Sequence, residues 1–249
     1  MKREWLILGG LWAILTALME LAVWTLSMLP EQYAREAKIV DDAYVLLMAF
    51  GAPVFAFVVA MLLYSGFRYR IRGPTTADGP AITSNRWVVG IWLGLTGLLA
   101  ATVLVFPGFT GLAELRADQS ADIVIEVEGA RWFWVLTYPN GGTTQDELVV
   151  PVNTRIRFDV TSVDILHSFW VPAFRTKIDA VPGRVTQLFV TPDRVGTIAD
   201  DSNLRVQCAE FCGLGHDRMA IPVRVVPAAE FGTWMGGLLG QAHGGKEGA

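Results

Sequence analysis

The chain has 249 residues and a mass of 27.3 kDa; 52% of its residues are hydrophobic, 18% are charged, and the mean hydropathy is +0.40. Globular chains carry about 25% charged residues, so an ordinary soluble enzyme is disfavoured, and a net charge of −4 with a pI near 5.4 argues against a nucleic-acid partner. The charge is unevenly placed: residues 1–106 hold seven acids and eight bases, residues 107–249 seventeen and twelve. This asymmetry predicts a membrane anchor followed by an acidic soluble domain.

Three apolar runs form the predicted anchor: Trp5 to about Leu29, Ala43 to Phe67, and Trp87 to Phe106. Each reaches the roughly 20 residues that a helix needs to cross about 30 Å of hydrocarbon. Lys2 and Arg3 precede the first run, and Arg68, Arg70 and Arg72 follow the second. The positive-inside rule places both basic groups on the cytoplasmic side and everything after Pro107 outside. Residues 1–29 read as an extra transmembrane helix or as a signal peptide. The run exceeds the 7 to 15 residues usual for a signal core, while Ala34 and Ala37 offer only a weak cleavage site. Glu20 is either a functional intramembrane carboxylate or an acid facing a partner subunit. Residues 43–106 read as a transmembrane helical hairpin.

From Asp122 onward the pattern becomes short segments rich in β-branched and aromatic residues. These are Ile123–Glu128, Arg131–Tyr138, Glu147–Pro151, Arg155–Val160, Arg184–Val190 and Pro222–Val226, separated by Pro, Gly and Asn. They predict a Greek-key β-sandwich of two sheets within residues 111–240. The Gly-rich residues 241–249 read as a disordered tail, with His243 solvated.

The chemistry concentrates in CAEFCGLGHDRM, Cys208 to Met219, which brings two thiols, an imidazole and a thioether within twelve residues. Soft sulfur ligands with imidazole select copper. A second imidazole, His167, lies in DILHSFW among aromatic residues that would keep a redox centre dry. Two cysteines in an extracytoplasmic domain are by default a disulfide, and a mononuclear copper site needs one Cys, two His and a weak Met. The mononuclear reading leaves one cysteine unused. Two cysteines four apart that bridge a copper pair use every soft ligand, so the donor set favours a dinuclear centre over the disulfide, zinc and mononuclear alternatives.

These residues resemble subunit II of the haem-copper cytochrome c oxidases. The resemblance rests on DILHSFWVPAF (Asp164 to Phe174), KIDAVPGR (Lys177 to Arg184), CAEFCGLGHDRM, and the aromatic cluster RWFWVLTYPNGG (Arg131 to Gly142). It extends to the two spans within residues 43–106, and the extra N-terminal run lies outside the family's two-helix pattern. It implies a membrane-anchored all-β fold: two or three transmembrane helices followed by a cupredoxin-like Greek-key sandwich. It also implies the dinuclear centre called CuA. Cys208 and Cys212 would bridge both ions; His167 and Met219 would complete one ion, and His216 with the carbonyl of Glu210 the other. The Glu210 side chain would reach an interfacial Mg²⁺ or Mn²⁺ shared with subunit I. Trp132 would be where electrons arrive from cytochrome c or a similar donor, with Trp134 a sandwich aromatic.

The implied function is electron transfer toward haem in subunit I of a proton-pumping oxygen reductase, an oxidoreductase whose oxygen site lies in another subunit. The implied partners are subunit I, other oxidase subunits and the membrane. The implied location is the cell inner (plasma) membrane, multi-pass, with the CuA domain on the extracytoplasmic side. Asp164 is a candidate support for His167, or a strand-end acid facing solvent. The sequence departs from the family in TSNRW, where Ser84 replaces a Glu that feeds a proton channel in many members, so that role does not transfer. No CxxCH is present for a fused c-type haem. The complete ligand set disfavours quinol as donor. A membrane-anchored copper-storage or delivery module is the competing function; it would need neither Trp132 nor the Glu210 side chain.

Overall fold

The computed structural model describes residues 2–26, 28–70, 73 and 83–244, with side chains through residue 239. These divide into two compact units, Met1–Met28 with Asp42–Glu114, and Leu29–Asp41 with Leu115–Ala249. Helices α1 (Lys2–Thr25), α2 (Arg35–Arg68), α3 (Arg86–Val103) and α4 (Thr110–Ala117) precede the strands. Among the described residues, three stretches are long and apolar enough to cross a membrane: Lys2–Thr25, Arg35–Arg68 and Arg86–Ala117. Within the first unit α1 lies along α2. Trp12 Nε1 donates to the Pro53 carbonyl at 2.8 Å, its ring stands edge-on to Phe57, and Arg68 pairs with Glu4 at 3.0 Å. Buried Ala52, Ala56 and Ala60 recur every fourth residue of α2, a spacing that allows close helix contact. Arg72 of the expected basic loop lies outside the described residues.

Helix α3 starts where the Asn85 side chain accepts the N–H groups of Trp87 and Val88, which satisfies donors that the first turn leaves free. The helix is interrupted at Phe106, which is extended at φ −135°, ψ 119°. The ring of Pro107 disfavours helical backbone in the residue before it. The helix resumes as α4, so residues 110–117 are not part of the sandwich expected over 111–240. Ala, Leu, Glu and Arg dominate TGLAELRA, and these are strong helix formers.

The described residues of the second unit form eleven strands. One sheet orders Thr143–Thr144 (β3), Phe133–Thr137 (β2), Ile123–Ala130 (β1), Ile156–Ser162 (β5) and Thr186–Val190 (β8). The other orders Leu148–Pro151 (β4), Ala220–Val226 (β11), Arg205–Cys208 (β10), His167–Val171 (β6) and Thr176–Ala180 (β7), with Gly196–Thr197 (β9) also on β11. Strand β5 alternates buried and half-buried residues throughout, as a strand with one face on a core must. Ile125, Val127, Leu136, Ile156, Phe158, Phe169, Val206 and Val223 form part of the shared core.

Two features of this unit were not expected from sequence. The segment Leu29–Asp41 docks on the sandwich: Ala34 bridges to Pro192, and Tyr33 packs so closely at Gly196 that a Cβ there would lie 2.6 Å from its ring. Buried Glu36 accepts from Arg155 at 2.5 Å and from the Thr191 N–H at 2.8 Å, and Asp41 accepts from Arg175 at 2.8 Å. The second feature is helix α5 (Ala228–Gly244), which buries Phe231 and Leu238. Its Trp234 stands edge-on to Tyr138 with ring centres 4.9 Å apart and donates to Glu147 at 3.1 Å. The expected tail is therefore corrected over 241–244, where the backbone is helical; residues 245–249 and the His243 side chain lie outside the described residues.

Candidate metal centre

Strand β6 begins at His167 and strand β10 ends at Cys208, and the two pair antiparallel with Cys208 opposite Phe169. The loop after Cys208 returns through a short 3-10 turn, His216–Arg218, to Met219 and then β11. Its ends are pinned by backbone bonds: the Cys208 N–H donates to the Met219 carbonyl at 3.0 Å, and the Ala209 N–H to the Ser168 carbonyl at 3.0 Å. Sheet pairing thus fixes both ends of a loop whose middle carries the remaining donors.

All six groups expected from sequence meet there. Cys208 Sγ lies 3.8 Å from Cys212 Sγ, 3.8 Å from His167 Nδ1 and 3.2 Å from the Glu210 carbonyl. Cys212 Sγ lies 3.5 Å from His216 Nδ1 and 3.8 Å from Met219 Sδ. His167, Cys208, Cys212 and Met219 are buried, His216 is half-buried, and the Glu210 side chain is exposed. Among the described residues, His167, Cys208 and Cys212 bring their donor atoms mutually within 4.8 Å.

Asp164 proves to be a support rather than a solvent-facing acid. Its Oδ1 accepts from the Ile165 N–H at 2.7 Å and from His167 Nε2 at 2.8 Å, while Oδ2 accepts from the backbone N–H and Nε of Arg131 at 2.9 and 3.0 Å. Desolvation opposes its ionisation, but the bonds from His167, Ile165 and Arg131 outweigh it and hold the carboxyl well below the usual carboxylate range. An ionised carboxylate only accepts, so His167 Nε2–H donates to Asp164, and Nδ1 is the ring nitrogen that faces the Cys208 thiol. Burial first, and the neighbouring Cys208 second, push the Cys212 thiol up to about 12.

The two tryptophans separate. Trp134, on β2, is fully buried and stands edge-on to His167 and Phe169, with ring centres at 6.0 and 5.6 Å. Trp132 precedes the strand, is 40% exposed, and donates from Nε1 to the Cys212 carbonyl at 3.1 Å. Sequence reasoning missed Arg131, the second partner of Asp164. It also missed Gly129, where a Cβ would meet Trp134 at 3.0 Å and His167 at 3.3 Å. An Arg beside the aromatic cluster was a legible charge, but its partner 33 residues away was not.

The residues fit a copper pair. Neighbouring donors lie 3.2–3.8 Å apart, close enough for them to share an ion. The set is soft sulfur plus imidazole, which suits copper. Two buried thiols side by side resist ionisation together, and a bound cation relieves that repulsion.

Residues 141–226 match the family described as cytochrome C oxidase subunit II, periplasmic domain. The heme-copper oxidase subunit 2 of Aeropyrum pernix is 32% identical, over 76% of this chain and 85% of that protein. The cytochrome c oxidase subunit 2 of Thermostichus vulcanus is 26% identical, over 83% of this chain and 77% of that protein. Among solved structures, the periplasmic domain of subunit II of cytochrome oxidase from Bradyrhizobium japonicum is 33% identical, covers 49% of this chain and 96% of its own, and has a TM-score of 0.45. With a relative of this identity aligned along most of its length, an apolar helical N-terminus and a β-sandwich carrying the Cys, His and Met set, the chain belongs to the cytochrome c oxidase subunit II family.

Proposed function

We propose that this chain is the copper-bearing, electron-accepting subunit of a terminal oxidase, anchored in the plasma membrane with its sandwich on the extracytoplasmic side. In this reading it takes electrons from cytochrome c or a similar donor and passes them toward haem in subunit I, where oxygen is reduced. The observation that carries it is the convergence of His167, Cys208, the Glu210 carbonyl, Cys212, His216 and Met219. These residues would hold two copper ions, with the cysteines bridging. When bound, such a pair supplies a one-electron redox centre whose change of charge is spread over both ions.

The protein's own groups prepare that site. Asp164 fixes the tautomer and orientation of His167, and the β6–β10 ladder fixes the loop that carries both thiols. Rigid support of the ligands keeps rearrangement small when an electron is gained or lost. Trp134, Phe169 and Phe158 pack in contact behind the site and exclude water from it. Trp132 joins the half-exposed surface to the ligand loop through its bond to Cys212, which supports its role as the residue facing the donor. The exposed carboxylate of Glu210, on the residue whose carbonyl faces Cys208, suits a second ion shared with subunit I. A retained first helix is supported by the contacts of Trp12 and Glu4 with α2.

The competing delivery module has no use for an indole bonded to the ligand loop. Replacement Trp132→Phe is expected to slow oxidation of the donor by the assembled oxidase several-fold or more while copper content and visible spectrum stay unchanged. Stopped-flow oxidation of the donor reads the first, and absorption with metal analysis the second. An unaltered rate places the donor contact elsewhere.

A further inference from the structure

Trp132 lies against the ligand loop in a way that depends on one glycine. A Cβ built at Gly215 would fall 2.4 Å from Cδ2, 2.6 Å from Cγ and 2.9 Å from Cε3 of the indole. Real side chains do not approach so closely, and these atoms belong to the body of the ring rather than to a flexible tip. The backbone does not explain the glycine: Gly215 has φ −99° and ψ 13°, a conformation open to other residues. Gly213 differs, since its φ of +107° calls for glycine on backbone grounds alone. Gly215 is therefore required by the indole, which also lies against Gly213 and donates from Nε1 to the Cys212 carbonyl.

Resting on the reading of Trp132 as the residue facing the donor, we propose that Gly215 is a positioning residue: lacking a Cβ, it seats the indole on the ligand loop and keeps Nε1–H on the carbonyl of Cys212. One electron leaves the reduced donor and one reaches the metal pair, and the indole is chemically unchanged. Gly215 sits next to His216 in sequence but offers no donor atom to the metal, so its effect passes through the ring. Because Trp132 is 40% exposed, Gly215→Ala can swing the indole outward without disturbing the buried core.

The test uses the full-length, copper-loaded chain and four forms: wild type, Gly215→Ala, Trp132→Phe and the double variant. Hydroxyl-radical footprinting read by mass spectrometry reports the exposure of Trp132, with buried Trp134 as internal reference. Gly215→Ala is expected to raise labelling of Trp132 several-fold, leave Trp134 and the copper spectrum unchanged, and slow donor oxidation by about tenfold, as a small misplacement of a reacting group does. In the Trp132→Phe background the same substitution is expected to slow oxidation no further, the signature of two residues acting as one unit. Unchanged labelling of Trp132, an undiminished rate in Gly215→Ala alongside a slow Trp132→Phe, or an equal further loss in the double variant each overturns the role of Gly215. A normal rate in Trp132→Phe overturns the reading on which it rests.

Discussion

Replacing Cys212 by Ser is expected to remove the dinuclear centre and with it donor oxidation. Cys212 is buried, and it is the common neighbour of Cys208, His216 and Met219, at 3.8, 3.5 and 3.8 Å. A hydroxyl in its place is a harder donor that does not bridge soft ions, so the remaining donors can hold at most a single copper. Metal analysis should fall from two coppers per chain to one or none, and steady-state donor oxidation to background. The sandwich itself should survive, because most of its core comes from the strands, Cys212→Ser is nearly isosteric, and the loop ends are pinned by backbone bonds of Cys208 and Ala209. Retention of two coppers in the variant would show that Cys212 does not bridge them.

The second large effect concerns stability. Glu36 is buried, accepts from Arg155 at 2.5 Å, and also accepts the backbone N–H of Thr191. Arg155 has other partners, Thr191 Oγ1 and the Asp118 carbonyl, but among the described residues no second carboxylate lies within salt-bridge range. Glu36→Ala therefore leaves a mostly buried guanidinium without its counter-charge, at a cost of about 3–5 kcal/mol. Thermal unfolding of the full-length chain, followed by near-ultraviolet circular dichroism, should show the sandwich melting well below wild type. A melting temperature within error of wild type would mean that Leu29–Asp41 is not an integral part of the folded domain. A chain shortened to begin at Gly111 would lack Glu36 and Asp41 and leave Arg155 and Arg175 without these carboxylates.

The ligand loop was legible because its chemistry is local. Cys208, Cys212, His216 and Met219 fall within twelve residues, and soft donors so spaced have few alternative uses. His167 was legible from its aromatic setting, and Asp164 from its position three residues earlier, although only the folded chain distinguishes a support from a solvated acid. The tryptophans show a limit of alternation. Period-two reasoning puts Trp132 and Trp134 on one face, but β2 starts at Phe133, so Trp132 lies before the strand and escapes the rule. Strand β6 was hard to outline because four of its five residues are buried and give no alternating pattern. The docking of Leu29–Asp41 joins residues 119 to 163 positions apart, and nothing in the local sequence announces it. Helix α5 was obscured at its end by Gly-rich composition, which the packing of Phe231, Trp234 and Leu238 on the sandwich overrides.

Electron paramagnetic resonance of the full-length chain loaded with copper, with metal content measured on the same sample, decides whether the six donors hold a bridged pair. A seven-line copper hyperfine pattern with two coppers per chain is the expected result. A four-line signal with one copper per chain would contradict it.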